Sequence, residues 1–420
     1  MTTALSGIRV AAFTHFAAGP IAAQYLGALG AGVVKVEAPQ QDVNRYAVRH
    51  PDGLLQGISP YFLATNRNQR CLGLDLKTPK GLEAARRLIA DSDVVIENYR
   101  PGVMERLGLG YEAARALNPK IIYCSLSAYD PDGAARDRPG QDLLLQALCG
   151  LASLTGRGDG PPVPVGAYII DGFTAMQGLV GILAALRHRD LAGVGQRISA
   201  AMMSSALYLM AQEASYVLNI DPRAERSCAG IAHVNQAAPY GTYSTADGAV
   251  VISTFGGPPT VRKLAQAYGI LDKIEPWLNE HDLRVKRDEV ARYFSGALAS
   301  MTSRQAISLA EPTGAWVVAV RSLADALADP NERDVIRSID ANYGGSYRVV
   351  VEPLKMSATP LQAERPAPAH GEHTRQVLAE LGYSANEIED FMASAAAFEQ
   401  GAAGYQADPS QLRLFSQSCT

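Results

Sequence analysis

The sequence predicts an α/β fold with a large, mostly parallel sheet and a second, smaller α+β domain. In the first half, short β-rich segments alternate with helical patterns, which favours βαβ units with helices on both faces of a sheet. Near residue 220 the pattern changes to a hairpin followed by charged helices. The chain has 420 residues and is 47% apolar, which is enough for two or three domains with substantial cores.

The first half contains five predicted strands and four predicted helices. The strands cover residues 8–13, 33–37, 72–76, 94–97 and 121–127. The helices cover residues 19–29, a segment opened by Thr78-Pro79-Lys80, residues 141–153 and residues 171–189. Proline is favoured at the first position of a helix, so Pro79 indicates where the second helix begins.

The second half contains weaker signals of mixed type. Residues 242–254 are typical of a hairpin that turns at Asp247-Gly248, and helical, charged segments follow over 261–309. From residue 323 onward helix and strand signals return, including a strand over 346–351 and a helix that begins near Glu372. The Gly-, Ala- and Gln-rich tail after Gln400 is expected at the surface.

Charge and cysteine content exclude several classes of function. The chain has 38 Lys and Arg against 42 Asp and Glu, a net charge of -4, so it offers no broad basic field for nucleic acid or an anionic membrane. The five cysteines are far apart and form no C-x-x-C pair, which argues against a disulfide framework or a thiolate zinc site. The start of the chain lacks the basic region of a signal peptide, and the apolar stretches 8–36 and 173–186 are interrupted or too short to span a bilayer. We therefore expect a cytoplasmic enzyme without a membrane segment.

Two motifs that suggest ligand sites have simpler interpretations. Gly27, Gly30 and Gly32 do not fit the dinucleotide-binding spacing, and their position at the end of a helix predicts a C-cap and a close packing contact. His370 and His373 are the histidine pair closest to a metal-ligand spacing, but they lie in a Pro-flanked, surface-like stretch. For them we predict solvent contacts or helix capping, and no metal site.

Asp171 is the most informative residue of the chain. A turn-rich apolar segment delivers its carboxylate to the start of a small-residue helix, between Ile169, Ile170 and Phe173. Such surroundings remove water from a carboxylate and alter its reactivity. The alternative is that Asp171 merely caps the helix, because Asp is a favoured N-cap residue.

A second candidate segment, residues 97–102, follows the predicted strand 94–97. Ligands of open α/β sheets bind at the carboxyl ends of the strands, and Arg100 and Arg106 supply positive charge that phosphates favour. The alternative is a plain turn built on Pro101-Gly102.

An ordered set of segments carries a family resemblance. These segments are residues 5–10, 13–20, 29–37, 66–68, 74–79, 97–102, 107–111, 118–119, 138–142 and 150–151, then Asp171, residues 239–243 and residues 371–374. Together they resemble the family III coenzyme A transferases of the CaiB–BaiF type, which include formyl-CoA and carnitine CoA-transferases. The resemblance extends over about residues 5 to 395. No single segment is decisive, but the ordered set is specific.

The resemblance implies an architecture as well as a reaction. It implies a large Rossmann-like domain built from residues 1–220 and 326–420, with a small α+β domain over 221–325 between them. Members form interlocked homodimers in which each chain passes through a ring in the other. The reaction moves CoA from an acyl-CoA donor to a carboxylic acid acceptor, so the CoA thioester is a substrate and no cofactor is bound permanently.

The resemblance also assigns roles to individual residues. The carboxylate of Asp171 attacks the thioester, and the reaction passes through an aspartyl anhydride and an aspartyl-CoA thioester. Asp142 corresponds to an acidic position near this nucleophile, where it can orient a backbone or solvent group. The residues expected to contact the substrate or stabilise the oxyanion are Ala17, Ala18, Gln141, Gly256 and Gly257, in addition to Asp142. The implied CoA contacts are Leu74 against adenine and Lys77 and Arg106 at the nucleotide, to which we add Arg100 for its charge.

Departures from the family pattern narrow the substrate. The formyl-CoA transferase branch has Gln where this chain has Ala17, and prolines follow Gly256-Gly257 in place of a longer glycine run. Ala17 cannot donate a side-chain hydrogen bond to a small acyl group and leaves space for a bulkier acid. We therefore expect substrates other than formyl-CoA and oxalate, for example a dicarboxylic pair with succinyl-CoA as the donor.

Two alternatives to CoA transfer stay open at this point. The related α-methylacyl-CoA racemases pair the aspartate with a histidine that falls near Gln141, and Gln141 has no titrating nitrogen for such a role. A non-catalytic subunit of a hetero-oligomeric transferase is expected to lose the nucleophile, so Asp171 counts against that interpretation.

Overall fold

The computed structural model describes residues 3–47, 53–55 and 57–400. Within them the chain forms twelve strands. In chain order these are β1 (Arg9–Phe13), β2 (Gly32–Glu37), β3 (Arg70–Leu74), β4 (Val94–Glu97), β5 (Ile122–Ser127), β6 (Gln196–Ala201), β7 (Gly241–Thr245), β8 (Gly248–Ser253), β9 (Trp316–Ala319), β10 (Ile336–Asp340), β11 (Ser346–Val350) and β12 (Ala397–Phe398).

The same residues form eighteen α-helices. In chain order these are α1 (Ala18–Ala28), α2 (Pro60–Thr65), α3 (Pro79–Ala90), α4 (Val103–Arg106), α5 (Tyr111–Leu117), α6 (Asp142–Leu148), α7 (Leu151–Leu154), α8 (Ile169–Ala192), α9 (Met202–Leu209), α10 (Ala211–Asn219), α11 (Gly257–Ala267), α12 (Leu271–Ile274), α13 (Glu280–Val285), α14 (Arg287–Leu298), α15 (Ser303–Ala310), α16 (Leu323–Ala328), α17 (Thr374–Glu380) and α18 (Ala385–Ala393).

The largest sheet has seven strands in the order β12-β3-β2-β1-β4-β5-β6. Its six strands from β1 to β6 are parallel, and β12 joins the edge antiparallel to β3. The order 3-2-1-4-5-6 is that of a doubly wound dinucleotide-binding fold. The predicted α/β class with a large parallel sheet is therefore confirmed. The sequence interpretation missed β6, a half-exposed edge strand, and the two-residue strand β12.

Alternate residues of β1 show how the sheet is covered on both faces. Val10 and Ala12 pack into a core that contains residues of α1 and α8. Ala11 and Phe13 pack into a second core that contains residues of α3, α5, α17 and α18. Both cores are needed because successive side chains of a strand point to opposite faces.

Local signals of the sequence explain several helix ends. Thr78 caps α3 by accepting a hydrogen bond from Gly81 N at 3.0 Å, and Pro79 is its first residue, as predicted. Gly30 adopts φ +102° just after α1, where residues other than glycine are strained. A Cβ on Gly27 would lie 2.3 Å from Asn68 O, so the predicted C-cap and close packing contact are both confirmed.

Other boundaries differ from the prediction. The predicted helix over 141–153 is two helices, α6 and α7, because Gly150 between them has φ +93°. Helix α8 extends two residues before Asp171 and three beyond residue 189. The hairpin turns at Ala246-Asp247, one residue earlier than predicted, and the helix expected near Glu372 begins at Thr374. The tail after Gln400 lies outside the described residues.

Helix α8 has 24 residues and, by length and composition alone, could cross a membrane. It is longer than the apolar stretch 173–186, because the helix continues through charged residues at its end. In the structure it contacts α1, β5 and β6, and Ala175, Leu179 and Ile182 are buried in the core beneath it. A core helix of this kind passes the same length test.

The chain divides into two compact units. Unit 1 comprises the described residues within 3–142, 169–205 and 331–400 and holds the seven-stranded sheet and the β10–β11 hairpin. Unit 2 comprises residues 143–168 and 206–330 and holds the antiparallel sheet β7-β8-β9 with the helices from α11 to α15. This division differs from the predicted boundaries in two places. Residues 143–168 belong to unit 2, and the second segment of unit 2 begins at residue 206 where the prediction has 221.

Candidate active site

The candidate site lies at the carboxyl edge of the seven-stranded sheet, where the strand order reverses. β1 is the central strand here, paired in parallel with β2 on one side and β4 on the other. The chain leaves β1 toward β2, whereas from β4 it proceeds to β5 on the opposite side. Ligands of doubly wound sheets bind in the crevice outside such a reversal.

The first backbone N–H groups of α1 have no hydrogen-bond acceptor from the side chain of their own N-cap residue. Residue Ala17 occupies the N-cap position of α1, and its methyl group cannot accept a hydrogen bond from the first amides. The backbone N–H of Ala18 instead donates to the carboxylate of Asp171, which comes from a segment about 150 residues later. The positive end of the α1 dipole adds to this attraction.

Asp171 is the third residue of α8 and does not cap that helix. Asp142 does so: its Oδ2 accepts hydrogen bonds from Ile170 N at 2.8 Å and from Asp171 N at 3.0 Å. Asp142 is buried, with 4% of its surface exposed. The structure thus rejects the alternative in which Asp171 is only an N-cap, because another carboxylate performs that task.

Two effects weaken the acidity of Asp171 and one opposes them. Burial and, to a smaller extent, the negative charge of Asp142 raise the pKa of Asp171, whereas the Ala18 N–H lowers it, and together they bring this pKa to about 6. At neutral pH the carboxylate is therefore mostly ionised but poorly solvated. A desolvated carboxylate held next to a backbone donor is suited to nucleophilic attack on a carbonyl carbon.

A network of buried polar groups fixes the loop between β1 and α1. Phe16 in this loop has φ +59°, a left-handed conformation that costs energy for a residue other than glycine. Its backbone N–H donates to Asp42 Oδ1 at 3.4 Å, and its carbonyl accepts from Asn44 Nδ2 at 2.7 Å. Asp42 is itself held by Lys35, whose Nζ lies 3.0 Å from Asp42 Oδ2 in a fully buried pair.

His15, in the same loop, is a neutral residue of the site. Burial and the charge of Lys35 lower its pKa to about 4, although Asp42 opposes this effect. Its ring stacks at a tilt against Phe16 and Tyr99, and its buried Nδ1 has no hydrogen-bond partner among the described residues. His15 therefore supplies no positive charge at neutral pH.

The residues predicted to bind the nucleotide lie at the same edge of unit 1, with one correction. Lys77 is exposed just beyond the end of β3, and Arg100 and Arg106 are exposed after β4. A Cβ on Gly102 would lie 3.0 Å from Arg106 Nη1 and 3.6 Å from Arg136 Nη2, so these guanidinium groups are close together. The side chain of Leu74 is fully buried in a hydrophobic core, so the prediction that this side chain contacts adenine is wrong.

For the other predicted site residues, Gln141, Gly256 and Gly257, the structure gives a position in the fold but does not test a role. Gln141 is exposed and directly precedes Asp142. Gly256 and Gly257 belong to unit 2, where Gly256 is the N-cap of α11 and Gly257 its first residue. Their contribution to the site stays a prediction.

The histidine pair that resembled metal ligands is structural. His370 is buried, with 1% of its surface exposed, and its Nε2 lies 2.8 Å from Ala38 O, so the predicted surface-like position is wrong. His373 Nδ1 accepts a hydrogen bond from Cys71 N at 3.3 Å. Among the described residues, no group of three His, Cys, Asp or Glu side chains is arranged to hold a metal ion.

Sequence reasoning missed several residues that shape this site. Asn98, Asp42 and Asn44 contact the loop after β1, and Arg136 approaches Arg106. Asn98 lies within the segment 97–102, but Arg100 in that segment and Arg106 after it favoured an interpretation as a phosphate site. Asp42 and Asn44 carried no such signal, since only the folded loop brings them to Phe16.

Known proteins have sequences and structures similar to those of this chain. Residues 5–374 match the family model for CoA-transferase family III. A succinate–glutarate CoA-transferase of Agrobacterium fabrum is 35% identical over 388 residues, 90% of this chain and 95% of that protein. A formyl-CoA:oxalate CoA-transferase of Streptomyces avermitilis is 43% identical over 209 residues, half of each chain. The crystal structure of a CaiB/BaiF family protein from Brucella suis superposes with a TM-score of 0.80 at 30% identity, covering 91% of this chain and all of that one.

Proposed function

The chain belongs to CoA-transferase family III, and we propose that it transfers CoA between two carboxylic acids with Asp171 as the nucleophile. The observation that carries this proposal is the position of the Asp171 carboxylate. It is partly buried, Asp142 fixes its segment by accepting from Ile170 N and Asp171 N, and the N–H of Ala18 at the start of α1 faces it and lowers its pKa. This donor can remain close to the oxygen of Asp171 as the carboxylate becomes an anhydride and then a thioester.

The proposed reaction conserves atoms, electrons and protons over four steps. A carboxylate oxygen of Asp171 attacks the thioester carbon of the donor, the C–S bond breaks, and CoA thiolate and a mixed anhydride form. The thiolate attacks the Asp171 carbonyl carbon and displaces the donor acid, which leaves an aspartyl-CoA thioester. The acceptor carboxylate then attacks that thioester and releases the thiolate. Attack of the thiolate on the acceptor carbonyl gives the new acyl-CoA and restores Asp171.

We propose that the acids are dicarboxylic and larger than oxalate. The Agrobacterium relative, named for succinate and glutarate, aligns with nearly the whole chain, whereas the formyl-CoA:oxalate relative aligns with half of it. Ala17 supports the same conclusion, because a methyl group next to the Ala18 amide offers no hydrogen bond to a small acyl group. A larger acid gains its binding free energy from other contacts.

The first experiment measures the mass of the intact protein after brief incubation with succinyl-CoA, for the parent chain and for Asp171→Asn. We expect an adduct of CoA through a thioester on the parent and none on the variant. The control is Asp137→Asn, which alters an exposed carboxylate of the same unit and should leave the adduct in place. An adduct of equal size and yield on Asp171→Asn would refute the nucleophile.

Acceptor specificity is measured in the same system. Glutarate should discharge the adduct to glutaryl-CoA faster than oxalate discharges it to oxalyl-CoA. Preferential use of oxalate would contradict the proposed substrate class while leaving the nucleophile intact. If the parent forms no adduct but exchanges the α-proton of a branched acyl-CoA in deuterated water, the racemase alternative replaces transfer.

We also propose that the working form is a homodimer. Unit 2 presents large apolar side chains to solvent, among them Phe255, Trp316 and Leu323, each more than 60% exposed. Burial of such side chains against a second copy would stabilise an assembly. Sedimentation equilibrium that returned the mass of one chain at micromolar concentration would overturn this proposal.

A further inference from the structure

Asn98 makes a two-point contact with the loop that precedes α1. It directly follows β4, and its own N–H donates to Phe13 O at 3.3 Å, at the end of the neighbouring strand β1. Its side-chain Oδ1 accepts from His15 N at 2.9 Å, and its Nδ2 donates to His15 O at 2.8 Å. One side-chain amide therefore satisfies both the backbone donor and the backbone acceptor of a single loop residue, His15.

The same side chain also supports the first turn of α1. A Cβ placed on Gly19 would lie 2.9 Å from both Cγ and Oδ1 of Asn98, and 2.8 Å from Thr14 Cγ2. Glycine at this position thus lets the Asn98 amide approach the helix closely. Gly19 directly follows Ala18, whose N–H faces Asp171.

We propose that Asn98 is a positioning residue for CoA transfer, and that it holds the loop of residues 14–17 so that the Ala18 amide points at Asp171. This inference rests on the proposed role of Asp171. Asn98 is 73 residues before the nucleophile in sequence and acts on it through the loop and the Ala18 amide.

The conformation of the loop explains why it needs such a contact. Phe16 has φ +59°, a left-handed conformation that is strained for a residue with a side chain, and the loop releases this strain when it relaxes. Asp42 and Asn44 hold Phe16 from one side, and Asn98 holds His15 from the other. When the Asn98 side chain is removed, the backbone of His15 loses both of these hydrogen bonds, and the loop between β1 and α1 is free to relax.

Movement of the Ala18 amide has two measurable consequences for Asp171. The developing oxyanion loses its donor, and single donors of this kind are worth roughly 100-fold or more in kcat. The ionised form of Asp171 also loses a favourable hydrogen bond, while the nearby charge of Asp142 stays and continues to oppose ionisation. The acid limb of the pH profile therefore moves to higher pH.

The test compares Asn98→Ala with Asn118→Ala, a matched control in the same unit. Asn118 has the same pair of contacts elsewhere: its Oδ1 accepts from Lys120 N at 2.9 Å and its Nδ2 donates to Ser92 O at 2.8 Å. Asn98→Ala should lower kcat by about 10- to 100-fold and raise the acid limb of kcat/KM by roughly one pH unit. Asn118→Ala should leave both quantities at their parental values.

A second variant keeps the test decisive where Asn98→Ala does not fold. Gly19→Ala places a methyl group where the Asn98 amide lies and should shift the acid limb in the same direction. An acid limb that stays at its parental pH in every folded variant would overturn the inference, whatever happens to kcat. Asp171→Asn separates the two proposals: if it is inactive while Asn98→Ala behaves as the parent does, the nucleophile stands and the positioning role falls.

Discussion

At the level of single residues, Asp171 combines an advantage for chemistry with a cost to stability. The burial that favours attack by its carboxylate, together with the charge of Asp142, raises its pKa from an ordinary 3.8 to about 6. A folded-state pKa above the unfolded value means that the native protein binds this proton more tightly. Its stability therefore falls as the pH rises from about 4 to about 6, and the loss is complete above that range.

Asp171→Asn should consequently raise the free energy of unfolding at neutral pH although it abolishes transfer. A shift of about two pKa units corresponds to about 3 kcal/mol at most, and partial exposure to solvent reduces the expected gain to about 1–2 kcal/mol. The gain should become small at about pH 4 and disappear near pH 3, where Asp171 of the parent is protonated in the folded and in the unfolded state. Urea unfolding at pH 7.5 and pH 4 measures it, with Asp137→Asn as the exposed control. Equal stability of parent and variant at both pH values would contradict a desolvated Asp171.

Sequence reasoning identified the nucleophile candidate but not the groups that tune it. The apolar neighbours Ile169 and Ile170 indicated desolvation, and that indication is correct. Asn98 acts through two hydrogen bonds to the backbone of His15, and neither its residue type nor its spacing from Asp171 indicates these contacts. Leu74 was assigned by resemblance alone, and the core packing of β3 determines the direction of its side chain.

At the level of elements, the position of Asp171 depends on how closely α8 packs on the sheet. A Cβ on Gly178 would lie 2.8 Å from Leu126 Cδ2 of β5, and a Cβ on Gly181 would lie 2.9 Å from Ile198 Cγ2 of β6. The small residues visible in the sequence of this helix thus permit a short distance between helix and sheet. The sequence predicted the helix, but not which of its glycines face the sheet, because the helix is apolar on nearly every side.

Gly178→Val should therefore destabilise the protein, whereas Gly172→Ala in the same helix should not. Valine at 178 overpacks the interface with β5, and overpacking costs about 1–3 kcal/mol. A Cβ on Gly172 meets nothing within 4 Å, so alanine there should stabilise the helix by about 0.5–1 kcal/mol. Thermal and urea unfolding of the two variants give the comparison. Destabilisation of the same size at both positions would show that the helix does not depend on close packing at Gly178.

At the level of the whole chain, unit 1 is completed by segments from both ends of the sequence. Arg67, just before β3, contacts Glu352 and Glu364, almost 300 residues later. Gln24 links α1 to the same group by donating to Glu352 Oε1 at 2.8 Å, and its Oε1 accepts from Arg67 N at 2.8 Å. The family resemblance implied that both chain ends build one domain, but the charge pattern of the sequence did not pair Arg67 with carboxylates so far away.

The buried charge of Arg67 thus helps to hold the C-terminal segment of unit 1 in place, and its contribution to the free energy of unfolding can be measured. Glu352 is buried, and Arg67→Ala removes the arginine that balances its charge. Removal of one partner from a buried ion pair costs about 3–5 kcal/mol, so this variant should be strongly destabilised. Arg70→Ala is the matched control, because Arg70 also joins this segment to the C-terminal part, through Glu380, but in a solvent-exposed pair that is worth less than about 1 kcal/mol.

Urea unfolding should rank the two single variants in that order. The triple variant Arg67→Met, Glu352→Gln, Glu364→Gln should recover much of the loss, because it removes the unpaired charges together with the arginine. If Arg67→Ala and Arg70→Ala cost the same, the long-range pair contributes no more than a surface contact. The chain ends would then be joined by the apolar packing of α17 and α18 against the sheet, where Leu378 and Phe391 are buried.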